Sequence, residues 1–87
     1  MFIELDDEHI IRSEEVVTIL DIQLTKTSIK LKNLLKYKKN QNELMGNPET
    51  GKAIIITDEY IYYSSQSPLT LKKRFNRNEI IRKISNY

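Results

Sequence analysis

The sequence predicts an α+β fold, in which a small antiparallel sheet (a meander plus a hairpin) is packed by one amphipathic lysine-rich helix and followed by short C-terminal helices. Two observations lead to this prediction. Short β-branched runs alternate with polar pairs, as is typical of antiparallel strands. Elsewhere, apolar residues recur near every 3.6 positions behind serine or threonine residues that can cap a helix.

Three strands are predicted at the start of the chain, at about residues 2–5, 8–12 and 15–22. Isoleucine and valine dominate the second and third runs, and both residue types favour strands. The polar pairs Asp6-Asp7 and Ser13-Glu14 separate the runs and suit turns. The three strands are therefore expected to form a meander.

A lysine-rich helix is predicted next. Residues 25–28 offer N-cap candidates, and the apolar residues that follow form a stripe near the helical period. The stripe consists of Ile29, Leu31, Leu34, Leu35 and Tyr37. The polar face is almost wholly lysine, and like charges four residues apart, such as Lys32 and Lys36, cost a few tenths of a kcal/mol each. An anionic partner would relieve that cost.

The second half of the chain is predicted to hold a loop, a hairpin and helical pieces. Residues 40–50 have a loop composition, with a brief strand around Leu44-Met45. Residues 53–57 and 60–63 are expected to pair as a hairpin, after which Ser67-Pro68 can cap and start a short helix. Residues 76–84 place Ile80, Ile81 and Ile84 on one face of a second helical piece. We therefore expect a single domain over residues 1–75 and a C-terminal helical tail over residues 76–87.

Composition favours a small intracellular binding protein. The chain has 87 residues, no cysteine, and no apolar run near the roughly 20 residues that span a bilayer. We therefore expect a cytoplasmic location and no contact with membrane. The net charge is only +2, but the first 22 residues are acidic while residues 26–39 carry six lysines and no carboxylate. Such asymmetry fits either a polyanion-binding face or complementary surfaces on neighbouring subunits.

Several segments match catalytic or ligand-binding motifs only in part. Residues 46–52 fit the first seven positions of a phosphate-binding loop, but Ala53 stands where a hydroxyl is needed and a strand follows instead of a helix. His9 is the only histidine and has no partner for a metal. The tyrosines of residues 60–63 could stack on bases, but packing under the helix is the simpler explanation. We predict no enzyme, no cofactor, no metal site and no catalytic residue.

Three segments carry a resemblance to a known family: Ala53–Thr57, Ile61–Ser64 and Thr70–Arg74. With the opening strands, they resemble the Rem family of bacterial extracellular-matrix (biofilm) regulators over about residues 1–75, and the B-type branch is the closer match. The resemblance implies DNA-linked control of matrix genes in the cytoplasm. The A-type branch is associated with ring-shaped assembly, so we expect self-association, as a ring or head to tail. An A-type relative is a further candidate partner.

The DNA-contacting arginines of the A-type branch do not transfer to this sequence. They correspond to Glu14-Glu15, which is acidic, and to Pro48-Glu49-Thr50. Any DNA contact must use other cations, most of them on the two helices. The predicted nucleic-acid-binding residues are Lys32, Lys36, Lys39, Lys52, Lys72, Lys73 and Arg74.

Two functional hypotheses follow. The first is an oligomeric DNA-binding regulator of matrix genes that contacts mainly the phosphate backbone. The alternative is a non-enzymatic assembly module that oligomerises without binding DNA. The sequence leaves open the target DNA, the number of subunits and the direction of regulation.

Overall fold

The computed structural model describes the backbone of residues 1–85 and the side chains of residues 1–76. Its strands are β1 (Phe2–Glu4), β2 (Ile10–Arg12), β3 (Val16–Asp21), β4 (Leu44–Met45), β5 (Ala53–Thr57) and β6 (Ile61–Ser64). Its helices are α1 (Ile29–Asn40) and α2 (Pro68–Ser85). Two short 3-10 turns, Ser13–Glu15 and Ile22–Lys26, flank β3.

The strands form two sheets. A four-stranded sheet has the order β3-β5-β6-β4, and β1 pairs with β2 in a separate two-stranded sheet. The α+β class is confirmed, as are the hairpin β5–β6 and the brief strand β4, which runs parallel to β6. The expected meander is divided, however: the turn Ser13–Glu15 separates β3 from β2, and β3 pairs with β5 instead.

The four-stranded sheet is covered on both faces because β5 is apolar on both sides. Ile54 and Ile61 pack against Leu31 and Leu35 of α1. On the other side, β5 packs with the β1–β2 hairpin and α2 in a second cluster of buried residues. That cluster consists of Ile3, Leu5, Ile11, Ala53, Ile55 and Leu71. Helices α1 and α2 therefore lie on opposite faces of one sheet.

Helix α1 starts as the sequence predicts, but it buries a narrower stripe. The Ser28 Oγ accepts a hydrogen bond from the Leu31 N–H at 3.1 Å, which makes Ser28 the N-cap. Of the five apolar residues of the predicted stripe, only Leu31 and Leu35 are buried. They stand one turn apart, so the contact with the sheet follows a single row of the helix. The remaining three, Ile29, Leu34 and Tyr37, are exposed.

Helix α2 begins at the predicted cap and continues as one helix. The Ser67 Oγ accepts from the Thr70 N–H at 3.1 Å, and Pro68 is the first helical residue. The predicted short helix and the second helical piece are continuous in α2, which crosses residue 75. The division into a domain of residues 1–75 and a tail of residues 76–87 stays a prediction, and the side chains of Ile80, Ile81 and Ile84 lie outside the described residues.

A network of side-chain hydrogen bonds holds the β1–β2 hairpin. The Asp6 Oδ1 accepts from the N–H groups of Glu8 and His9, both at 2.8 Å, and lies 2.9 Å from the His9 Nδ1. Burial acts to raise the pKa of Asp6, but these hydrogen bonds outweigh it and hold the pKa below its usual value. The hairpin is tied to the main sheet by Ser64, whose hydroxyl donates to the carbonyl of Leu5.

Candidate nucleic-acid interface

Three predicted residues lie along one flank of α1. Lys32, Lys36 and Lys39 follow one another at spacings of four and three residues, which places them on adjacent turns of the same side. All three are exposed, and none has a carboxylate within 4.0 Å among the described residues. We call these three residues the basic flank of α1. It forms a row of unneutralised ammonium groups, which is the arrangement that a run of phosphates requires.

A fourth lysine of α1 has a structural role instead. The Lys38 Nζ donates to the backbone carbonyl of Glu59 in the β5–β6 turn, and it lies 3.5 Å from the Glu43 Oε2 before β4. This half-buried ammonium group therefore links α1 to two loops.

Lys52 lies at one end of the four-stranded sheet, just before β5. Its N–H donates to the carbonyl of Ser64 at 2.7 Å, and its own carbonyl accepts from Ile22 at 3.2 Å. The backbone is therefore fixed while the side chain is exposed. The chain leaves β3 at this same end of the sheet and turns toward the start of α1.

The three cations of α2 do not form a row. Lys72, Lys73 and Arg74 are consecutive, so their side chains point about 100° apart around the helix. Lys72 borders a groove of about 220 Å³ between α2 and the edge strand β3. Because α2 lies on the opposite face of the sheet from α1, one chain does not bring all seven predicted residues together.

The positions where the resemblance to the A-type branch predicts arginines are acidic or neutral in this chain. Glu14 and Glu15 are exposed in the turn before β3. The Ser13 hydroxyl donates to the Glu14 Oε1 at 2.9 Å, and the Met1 amino group lies 3.3 Å away, so these two groups lower the pKa of Glu14 to about 2. The ionised carboxylate of Glu14 therefore lies between two cations, the Met1 amino group and Arg12, whose Nε is 3.5 Å from the Glu14 Oε2.

An acidic surface lies beside the Ser13–Glu15 turn. Glu15 contributes to a hollow of about 320 Å³ with residues of the β5–β6 turn and two tyrosines. The other lining residues are Thr57, Asp58, Glu59, Tyr60 and Tyr62. Tyr62 is half-buried, and burial raises the pKa of its phenol. The rings of Tyr62 and His9 also pack edge to face, with their centroids 5.9 Å apart. These contacts agree with packing as the role of the tyrosine.

The loop that resembles a phosphate-binding motif is shaped by packing against β6. Gly46 has φ = +90°, and a Cβ at this position would clash with the carbonyl oxygen of Tyr63. The loop then leads directly into β5. In the part of the chain with described side chains, no three His, Cys, Asp or Glu side chains are grouped to hold a metal ion.

Sequence reasoning missed one feature of the surface. Phe2 and Ile10 lie on the outer face of the β1–β2 hairpin and are 71% and 63% exposed. Ile3 and Ile11, their neighbours in sequence, are buried on the inner face. The sequence contained a signal for this exposure. Successive residues of a strand face opposite sides, and β1 and β2 each have two consecutive large apolar residues, so one of each pair must face outward.

The fold and these surfaces define a small α+β domain with a row of exposed lysines on α1 and acidic residues around the β5–β6 turn. No helix within the described part of the chain is long and apolar enough to cross a membrane. Residues 2–75 match a family model described as Extracellular matrix regulatory protein A-like, and the chain belongs to this family.

A curated relative points the same way. The chain is 34% identical over 76 residues to Extracellular matrix regulatory protein B of Bacillus subtilis (strain 168). The alignment covers 85% of this chain and 89% of that protein. The resemblance found in the sequence, including its B-type character, is confirmed. The relative is named a regulatory protein, which is consistent with the prediction that this chain is not an enzyme.

Proposed function

We propose that this protein is a cytoplasmic DNA-binding regulator of extracellular-matrix genes that acts as an oligomer and contacts mainly phosphates. The observation that supports it best is the basic flank of α1. Three exposed ammonium groups stand in a row there without a neutralising carboxylate among the described residues. Family membership supports a regulatory role, because the relative is named for it.

Phosphate contact is favoured over base reading because the flank contains lysine alone. Lysine presents a compact point charge, whereas bidentate recognition of a guanine edge typically uses arginine. Lys52 can extend the same interface at the end of the sheet from which the chain approaches α1. DNA shape and the number of engaged copies would then supply selectivity.

Self-association is part of the proposal because one chain offers only a short basic row. Three phosphate contacts give a slope of log affinity against log salt of about −2.7, since each contact adds about −0.9. Two linked copies would bring the slope to about −5. Linkage also raises affinity, because the second copy binds at a high effective concentration.

The test is a fluorescence polarisation titration of the full chain on duplex DNA, over about 50 to 200 mM salt. The informative variant is Lys32→Gln/Lys36→Gln/Lys39→Gln. The matched control is Lys72→Gln/Lys73→Gln/Arg74→Gln, which removes equal charge from the opposite face. We expect the α1 variant to have a shallower slope of log affinity against log salt, reduced in magnitude by about 2.7 per bound copy. The control should reduce the magnitude of the slope less.

Two results would contradict the proposal. No binding by the wild-type chain at about 50 mM salt would reject DNA as the partner, since phosphate contacts are strongest at low salt. Equal slopes for the wild type and the α1 variant would remove the basic flank from the interface.

The alternative function is an assembly module that joins copies, or an A-type relative, without binding DNA. The exposed Phe2 and Ile10 favour it, because exposed apolar residues often mark protein contacts. The polarisation titration separates the two, because a pure assembly module gives no signal with DNA. Light scattering at low and high salt then tests whether charge pairing holds the copies together, because such an assembly shrinks as salt screens it.

A further inference from the structure

The outer face of the β1–β2 hairpin has the composition of a contact surface. Phe2 pairs with Arg12 and Glu4 pairs with Ile10, so these four side chains share the face that points away from the core. A two-stranded sheet with one solvated face normally alternates apolar and polar residues. Here the solvated face carries two of the most exposed large apolar residues among those described, which indicates that another surface covers it.

Helix α1 offers a second flank that is distinct from the basic flank. Lys30, Leu34 and Tyr37 recur at spacings of four and three residues, on the side of the helix away from the basic flank. Leu34 is 37% exposed and Tyr37 is 59% exposed. We call these three residues the apolar flank of α1. Tyrosine is enriched in protein interfaces because its ring is large and rigid and its hydroxyl tolerates water.

The charges on the two surfaces are complementary. On the hairpin, the Arg12 Nε lies 3.5 Å from the Glu14 Oε2, which leaves Glu4 as the carboxylate of that face with no ion pair among the described residues. On α1, Lys30 likewise has no carboxylate within 4.0 Å among those residues. Each surface thus combines two apolar side chains with one unpaired charge, and the charges have opposite signs.

We propose that the outer face of the hairpin docks onto the apolar flank of α1 in a second copy of this chain. Phe2 and Ile10 would cover Leu34 and Tyr37, with Glu4 facing Lys30. The two surfaces differ, so the contact is heterologous and repeats from copy to copy until it closes or extends. It also leaves the basic flank free. The proposal specifies the interface for the oligomer in the proposed function, and it does not depend on DNA binding.

Charge exchange tests this pairing directly. The mass of the full chain is measured by sedimentation velocity over a concentration series, without DNA. We expect Glu4→Lys and Lys30→Glu each to weaken association about tenfold, because each places like charges together. The double variant Glu4→Lys/Lys30→Glu should recover most of the loss. Phe2→Ser/Ile10→Ser should weaken association by roughly thirtyfold or more, as expected for the apolar centre of an interface.

The matched control is Leu69→Ser. Leu69 is 65% exposed, close to the value for Ile10, but it belongs to α2 and to neither proposed surface. This variant should keep the wild-type mass. All substituted positions are solvent-exposed, so thermal unfolding should confirm intact folding in each variant.

Three outcomes would overturn the proposal: a wild-type chain that is monomeric at every concentration, single charge variants with the wild-type mass, or a double variant no better than the singles. Failure of the proposed function gives a different pattern. In that case the masses follow the expectation above while polarisation shows no binding to DNA.

Discussion

Ser64→Ala tests the link between the β1–β2 hairpin and the main sheet. Ser64 is fully buried, and its Oγ donates to the carbonyl of Leu5 and accepts from the N–H of Gln66 at 3.1 Å. Removing the hydroxyl deletes both hydrogen bonds, at a net cost of about 1 kcal/mol each. It also leaves the carbonyl of the buried Leu5 without this donor, which costs about 1 kcal/mol or more. We therefore expect a total loss of roughly 2 to 3 kcal/mol.

A loss of this size is easily measured. For a chain of this length, each kcal/mol lowers the Tm by roughly 4 to 8 °C, so the Tm should fall by roughly 8 to 24 °C. Urea unfolding followed by circular dichroism gives the free energy directly, with an unchanged m-value if the denatured state is the same. Ser65→Ala is the control, because Ser65 is the exposed neighbour. A Ser64→Ala variant within about 0.5 kcal/mol of wild type would refute the reasoning.

Two further predictions concern Asp6 and Gly46, which lie in turns that border one cleft. The lowered pKa of Asp6 means that its ionised form stabilises the fold above the unfolded pKa, near 4, and that this stability is lost as pH falls through the folded pKa. The difference in urea midpoint between wild type and Asp6→Asn should therefore be present at neutral pH and shrink below about pH 4, and a constant difference would contradict this. Gly46→Ala should lower the free energy of unfolding in urea by roughly 1 to 3 kcal/mol, because φ is +90° and the new Cβ would clash with the backbone carbonyl of Tyr63. Gly51→Ala, whose Cβ would lie 3.2 Å from its nearest neighbour, should cost less, and equal losses would show that the backbone of residue 46 is not constrained in this way.

The sequence predicted the parts of the fold that depend on neighbouring residues. Ser28 and the Ser67-Pro68 pair start their helices where expected, because capping is decided within one turn of the chain. The hairpin β5–β6 was found for the same reason, since its turn joins adjacent strands. The pairing of β3 with β5 was not predicted, because β5 is more than 30 residues away in sequence. β5 takes the central position next to β3 because both of its faces are buried.

The candidate site was predictable as a set of residues but not as a surface. Helical spacing alone places Lys32, Lys36 and Lys39 on one side of α1. The separation of Lys72 from them depends on β5, whose alternate residues face α1 on one side and α2 on the other. The width of the buried stripe of α1 likewise could not be predicted from neighbouring residues alone. The predicted stripe included Tyr37, but the sheet reaches only the row of Leu31 and Leu35.

The geometry of α1 explains why a regulator of this kind would need several copies. From Lys32 to Lys39 the helix rises about 10 Å, since each residue adds 1.5 Å. Along one strand of duplex DNA, charges recur about every 3.4 Å of axis, so the basic flank matches about three phosphates. DNA is stiff over about 150 base pairs, so a short duplex does not fold around one domain to reach α2 on the opposite face. In the proposed DNA complex, each copy would therefore contribute one short contact, and strong binding would require neighbouring copies to hold their basic flanks along the same duplex.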